Sequence, residues 1–466
     1  MRIVLTILCA AGLVLLALPP SLHASDTVHE YQLDNGMRIL VRPDHRAAVV
    51  ISQLWFPVGS SHERASLTGI SHALEHMMFK GTERLETGEF SRIISREGGR
   101  LNAFTGRDFT AYHEQLRADR LEVALELEAE RLANIVFDEE EFAREMEVIR
   151  EERRQVVDTN PVRVAQERFH ALAWQTHPYR NPILGWPTDL DHMTLDDVRD
   201  WYERWYGVNN AILVVVGDVD PEAVRDLAVE HFGPLEPREA PGVRNLEEIE
   251  PLGERRALVR QPRATPYLLM GWQVPSRATA KDPSDSYALS LLSRILAGGG
   301  SARLSENVVR GTDVAASASA SYNAVTRLDT QFYVDGRPTP DSDLDSLEDV
   351  LRAEIRRIAE DGVTSEEVDR ARIQARADYV YRLDSLFAQG MEIGLLETAG
   401  IGWEAMNEFE EALEAVTASD IQAVAEAYLR DDRITVVHLL PEDDGAPPAT
   451  EPPQDTAPDN GTSHTH

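Results

Sequence analysis

The sequence predicts an α+β fold in two tandem homologous domains. Three observations lead there. The chain has 466 residues, 42% of them hydrophobic, too long for one ordinary domain and long enough for two of about 200 residues, each with its own core. Short strand-like apolar runs are interspersed with stretches of helical period along its length. One pattern also occurs twice. Thr194-Leu-Asp-Asp197-Val198, Trp205-Tyr206 and Ala211-Ile-Leu-Val-Val-Val216 return as Thr417-Ala-Ser-Asp420-Ile421, Tyr428-Leu429 and Ile434-Thr-Val-Val437, displaced by 223 residues (417 − 194; 434 − 211). A helix and a strand repeated at one offset mark two copies of one fold.

The first element reads as a signal peptide, residues 1–24. Arg2 precedes an apolar stretch over 3–18, Pro19 and Pro20 end it, and Ala24 stands before a cut at Ser25. Leu22 is an unusual residue three before that cut, and an uncleaved anchor is the other reading. A bacterial periplasmic or secreted protein is expected. Cys9, the single cysteine, lies inside this segment and follows Leu8, where a lipoprotein signal wants a small residue. The mature chain would have no thiol, so a metal must be held by His, Asp or Glu.

Residues 25–235 form the expected first domain. Asn35-Gly36 between 31–33 and 37–41 predicts a hairpin with a two-residue turn, and 49–56 a further strand. A helix is expected over 69–80, where Ile70, Ala73, Leu74 and Met77 make an apolar stripe. Strands follow at 102–104 and 109–115, helices at 119–135 and 139–157, and a third helix starts at Pro161 and runs to 174. Helix 195–206, strand 211–216 and helix 221–232 complete the domain. Residues 236–254 are rich in Pro, Gly and Glu and read as a linker. The second domain, 255–440, opens with a strand near 257–272 and a helix over 284–297. Residues 441–466 have almost no apolar content and are expected to be disordered.

Charge excludes one class of partner. A net charge of −34 argues against nucleic acid as a partner, because phosphate binding needs clustered cations. No apolar run after the signal approaches the roughly 18 residues a membrane span needs.

The chemistry-bearing pattern is His72-Ala73-Leu74-Glu75-His76. On a helix, residues four apart sit about 40° apart and residues three apart about 60° apart, so both imidazoles and the Glu75 carboxylate share one face. Two imidazoles from one turn are half of a tetrahedral zinc site, and the carboxylate beside them is placed to act as general base on a water that the metal activates. Two satisfied surface histidines fit the same spacing. A catalytic zinc needs one more protein donor. The expected helix 139–157 offers Glu145, Glu147, Glu151 and Glu152. Glu145 and Glu152 are seven apart on one stripe, so Glu152 can ligate while Glu145 hydrogen-bonds an imidazole. Glu151 points about 100° away. A solvated acidic helix face is the alternative.

The run Gly69-Ile-Ser-His-Ala-Leu-Glu-His-Met-Met-Phe-Lys-Gly-Thr82 resembles the active-site helix of the pitrilysin/insulinase family of inverzincin peptidases, nearest its short-chain branch with the mitochondrial processing peptidases. Asn102-Ala103-Phe104-Thr105, Glu147-Val-Ile-Arg-Glu-Glu152 and Pro178-Tyr-Arg-Asn-Pro-Ile-Leu-Gly185 carry the resemblance further, and it extends to about Pro441. It implies an antiparallel-rich sheet packed with helices in each domain, zinc held by His72, His76 and Glu152, and Glu145 behind them. It also implies two such chains or halves closing on an unfolded peptide, which would add as a strand beside Asn102 and Ala103. The zinc motif has no counterpart in the second copy, where Ile295 falls 223 residues after His72.

One feature departs from the family. There an arginine followed six residues later by a tyrosine reaches the substrate from the second copy. Here Arg310 stands at the arginine position and Ala316 at the tyrosine position, with Tyr322 six residues further on. The expectation is therefore a zinc endopeptidase acting on peptides or unfolded segments, as a homodimer or as a heterodimer whose related partner supplies the arginine–tyrosine pair. The alternative is a non-catalytic or partner-dependent subunit that keeps the fold for assembly or peptide binding.

Overall fold

The computed structural model of the chain describes residues 27–239, 242 and 247–442. The expected signal peptide, six residues of the linker, and the tail from 443 lie outside the described residues. The first half runs β1 (His29–Gln32), β2 (Arg38–Pro43), β3 (Val49–Phe56), α1 (Ile70–Met77), α2 (Glu89–Arg96), β4 (Arg100–Thr105) and β5 (Thr110–Arg117). It continues through α3 (Leu121–Asn134), α4 (Glu139–Arg153), α5 (Pro161–Ala173), α6 (Pro187–His192), α7 (Leu195–Trp205), β6 (Ile212–Gly217) and α8 (Pro221–Phe232). The second half runs β7 (Arg255–Gln261), β8 (Tyr267–Val274), α9 (Pro283–Ala297), β9 (Ala315–Tyr322), β10 (Thr330–Pro338) and α10 (Leu344–Asp361). It ends with α11 (Ser365–Arg382), α12 (Leu386–Thr398), α13 (Phe409–Ala415), α14 (Ala418–Tyr428) and β11 (Ile434–Pro441).

Two mixed sheets result, in the orders β1-β2-β6-β3-β5-β4 and β7-β11-β8-β10-β9. In each, one pair is parallel (β2 with β6, β7 with β11) and the others are antiparallel. The repeat in the sequence is a repeat in the structure. Thr194 and Thr417 both cap their helices with a reciprocal capping box, to Asp197 and Asp420. The strands that follow, β6 and β11, hold matching places between a parallel and an antiparallel neighbour. Each sheet buries one face under its own helices: α1, α3, α7 and α8 on the first, α9, α10 and α14 on the second.

The opposite faces are covered by exchange. Helix α12, from the second half, lies on β3 and β6, burying Ile393 and Leu396 against Trp55, Ile51 and Val214. Helix α5, from the first half, lies on β7, β8 and β11, burying Ala165 and Phe169 against Tyr267, Leu269 and Val437. Both contacts need a glycine. A methyl group on Gly394 of α12 would stand 2.1 Å from the Trp55 ring, and one on Gly271 of β8 would stand 2.5 Å from the Phe169 ring. Trp55 pairs with Ile212 and Gly271 with Thr435, positions related by the 223-residue offset. The aromatic group is thus on the strand at one interface and on the helix at the other.

Several local expectations change. Asn35-Gly36 sits in a wider loop closed by Leu33 N–H to the Met37 carbonyl (2.9 Å), because the Asn35 carboxamide donates to the carbonyls of Phe232 and Leu235. The single strand expected near 257–272 is two, β7 and β8, separated by a turn in which Arg263 has φ 57°. The helix expected over 139–157 ends at Arg153 and widens into one turn that closes from Thr159 N–H to the Arg154 carbonyl (3.0 Å). Helix α2 was not anticipated; Phe90 and Ile94, one turn apart, bury it.

Candidate metal centre

Helix α1 carries the motif, and all eight of its residues are buried. Its start is pinned. Gly69 adopts φ 86°, and a side chain there would meet the backbone of Gly185 at 2.8 Å. The Glu63 carboxyl accepts from the N–H groups of Gly69 (2.8 Å) and Ser71 (2.9 Å) at the positive end of the helix; burial pushes it up to about 7 against those bonds.

Helix α4 packs against α1 and brings Glu152 to the two imidazoles. The Nε2 atoms of His72 and His76 lie 3.6 and 3.4 Å from Glu152 Oε2, and one ligand atom from each of the three side chains fits within a 4.8 Å cluster. The rings of His72 and His76 are 4.7 Å apart and steeply inclined. Three donors around a tetrahedral zinc at about 2.0–2.1 Å are separated from one another by about 3.3–3.4 Å. Both donor chemistry and spacing therefore fit zinc.

Glu145, two turns earlier on α4, accepts from His76 Nδ1 (3.0 Å), and Lys80 Nζ holds its other oxygen at 2.6 Å. That leaves Nε2 of His76 turned toward Glu152. Burial opposes a charge on His76, but Glu145 and Glu152 outweigh it and hold the imidazolium up to about 9. Protons and a metal thus compete for this ring. Burial also opposes ionisation of Glu145, while His76 and Lys80 outweigh it and keep the carboxyl below its ordinary range. Glu151 points away, into Arg154 (2.6 Å) and Gln155 (2.6 Å).

Glu75 is buried beside the imidazoles and accepts a hydrogen bond from the Thr105 hydroxyl at the end of β4. Burial pushes its carboxyl up to about 7, against the opposing pull of Thr105 and His76. Asn102 and Ala103 lie on β4, the edge strand beside α1. They pair with His113 and Tyr112 of β5, and the Asn102 carboxamide oxygen accepts from Ala103 N–H (2.9 Å).

Arg310 stands apart from this group. It is exposed, follows α9, and donates to the Gly300 carbonyl and to Glu306. Ala316 is exposed on β9, and the Tyr322 hydroxyl donates to the Pro275 carbonyl (2.7 Å). The structure brings together His72, His76, Glu75, Glu145 and Glu152, and it adds Thr105, Lys80 and Glu63. Lys80 carried a signal of its own, one turn after His76 on the same face; Thr105 and Glu63 carried none.

Known proteins resemble this chain along most of its length. The family model described as insulinase, peptidase family M16, matches residues 38–186, and the one described as the M16 peptidase inactive domain matches residues 192–375. The chain belongs to the M16 peptidase family. It is 29% identical over 439 residues to the zinc protease PqqE of Helicobacter pylori, covering 92% of this chain and 97% of that one. A crystal structure of a protease from Helicobacter pylori superposes with a TM-score of 0.83 at 28% identity, covering 89% of this chain and all of the other. The periplasmic protease PqqL of Escherichia coli shares the fold at 19% identity and TM-score 0.77, with 92% of this chain matched to 49% of that one. The half that lacks the zinc motif is thus an M16 domain as well. At Ile295, its counterpart of His72, α9 presents a buried apolar side chain. Among the described residues, no helix is long and apolar enough to cross a membrane.

Proposed function

We propose that this M16 chain is a zinc-dependent endopeptidase of the periplasm or extracellular space, with His72, His76 and Glu152 as metal ligands and Glu75 as general base. The observation that carries this reading is the donor spacing of 3.4–3.6 Å around Glu152 Oε2, with a buried carboxylate on the same helical face. Zinc held there would polarise the scissile carbonyl and lower the pKa of water. The rest falls to the chain. A base works best with a pKa near the working pH, and burial brings Glu75 into that range. The Thr105 hydroxyl orients the carboxylate, which takes a proton from the attacking water and returns it to the leaving amine nitrogen. An extended peptide would add to the free edge of β4 at Asn102 and Ala103, displacing the Asn102 carboxamide from its bond to Ala103 N–H. On this reading the domains are 25–235 and 255–440, and the second shapes the site without zinc chemistry.

A quenched peptide of about 20 residues tests the proposal. Hydrolysis that chelator abolishes and zinc restores supports it. Glu75→Gln should bind zinc as before while turnover falls by roughly 10²–10⁴; unchanged turnover in Glu75→Gln would refute the assignment of the base.

One observation favours a partner-dependent form. Arg310 makes its hydrogen bonds within its own half, and Ala316 offers no hydroxyl. A related chain carrying an arginine–tyrosine pair would then complete the site, and zinc-loaded chain that is inert alone should gain activity on mixing with it.

A further inference from the structure

Beside Glu152 lies a cavity of about 340 Å³, walled by the end of α4, by α5 and by residues 180–184, with Arg107 projecting from the β4–β5 turn. Its charge balance is unusual for this chain, which carries 80 Asp and Glu against 46 Lys and Arg. Three of its lining arginines have no carboxylate within ion-pair reach among the described residues. Arg107 donates to His170 Nε2 (3.0 Å), interacts with Tyr333 and lies over the Tyr179 ring at 5.4 Å. Arg163 reaches only Gln166, at 3.5 Å, and Arg180 donates to the Gln175 carbonyl at 2.6 Å. Arg153, on the same wall, is by contrast neutralised by Glu167 at 2.8 and 3.0 Å.

Arg107 is the decisive member. It is half-buried, and its Nε is buried without an acceptor. Its neighbour His170 brings no counter-charge: an imidazole is neutral or cationic, and burial and Arg107 itself push this one well below its ordinary range, so it stays neutral. A guanidinium in this setting lacks the counter-ion that such burial demands, and its planar fork suits a carboxylate in two-point contact. Val156 and Leu184 line the same space and lower the local dielectric, which strengthens such a pair.

We infer that this cavity is a substrate subsite that recognises a carboxylate of the peptide, with Arg107 as its main contact and Arg163 and Arg180 at its rim. The inference rests on the peptidase reading of the adjoining site and names its substrate class: peptides carrying an acidic group close to the bond that is cut. The group is either an internal Asp or Glu side chain or the peptide's own C-terminal carboxylate.

The test uses the full zinc-loaded chain and measures binding separately from turnover. End-blocked fluorescent peptides that differ at one position (Glu, Gln or Lys), and a neutral peptide with a free C-terminus, are titrated against the Glu75→Gln protein by anisotropy. Wild-type cleavage of the same peptides is followed in parallel. The Glu peptide should bind about tenfold more tightly than its Gln twin, as expected for a charge-assisted bond in a shielded site. Arg107→Gln should erase that preference and leave the Gln peptide unaffected. Arg163→Gln and Arg180→Gln, at exposed positions that folding tolerates, should each reduce it. A gain seen instead with the free C-terminus assigns the site to a terminal carboxylate. Equal affinities for Glu and Gln peptides with no gain from a free C-terminus overturn the inference, as does a preference that survives all three substitutions. Acid-selective binding with no cleavage, either alone or after mixing with a related partner chain, would leave the subsite standing and sink the peptidase reading; cleavage without selectivity would do the reverse.

Discussion

At the scale of single residues, the hold on His76 is the feature with the clearest consequence. Glu145 grips its Nδ1 edge and is itself gripped by Lys80. Glu145→Ala would free the ring to rotate and remove the acceptor that makes Nε2 a good donor. Zinc affinity, measured by chelator competition, should fall by about 10–100-fold with the fold intact; an unchanged affinity would show that Glu145 does nothing for the metal. A second prediction concerns His113 on β5, which packs against Phe104 and Phe387 and faces Glu128 and Arg131. Burial holds its imidazole down at about 4, against an ordinary 6.5. Between pH 6.5 and 4 the unfolded chain takes up a proton that the folded chain refuses, so this residue's contribution to stability shrinks as pH falls through that window, by about 1.4 kcal/mol per unit. His113→Phe removes that loss. In urea unfolding, the variant should gain on the wild type steadily from pH 6.5 to 4, and parallel curves would contradict the argument. That His72, Glu75 and His76 share one face, and Glu145 and Glu152 another, was legible because helical geometry decides which side chains of one helix lie together; that the two faces meet was implied by the family resemblance. Thr105, Glu63 and Arg107 were not legible, because each reaches the site from a strand or loop whose direction depends on the register of β4 with β5 and the path before α1.

At the scale of elements, most strands and helices up to α9 could be read from their period, and Asp138, Asn160, Asp220 and Asp282 each cap a helix start with a side-chain oxygen; those from β9 to α13 were not read. What could not be read is which sheet a helix serves. Helices α5 and α12 each bury a stripe against a sheet face, and a stripe looks the same whichever sheet receives it. The glycines at these contacts give a direct check. Gly394→Ala would drive a methyl group into Trp55, forcing α12 off β3, and should cost about 1–3 kcal/mol or more by calorimetry or urea titration. Pairing Gly394→Ala with Trp55→Leu should recover part of the loss. A Gly394→Ala protein as stable as the wild type would mean that α12 does not lie this close.

At the scale of the whole molecule, the repeat foretold two copies of one fold but not that each copy depends on the other for cover. Residues 25–235 include α5, whose apolar side belongs to the second sheet, and lack α12, which belongs to the first. Expressed alone, such a fragment should expose Trp55, Ile51 and Val214, bind a hydrophobic dye and aggregate; coexpressed with residues 247–442, it should form a soluble complex. A fragment that unfolds cooperatively and reversibly by itself would show that the exchange is dispensable.

The same exchange sets an order of events during synthesis. The first sheet is complete once β6 has emerged at Gly217, yet the helix that shields its bare side begins at Leu386, 169 residues later (386 − 217). At ordinary elongation rates that is a wait on the order of ten seconds, during which a greasy sheet face hangs beside the ribosome. The second sheet waits for nothing, because α5 was made before it. The nascent first half is therefore the segment for which a holding chaperone has the most work to do.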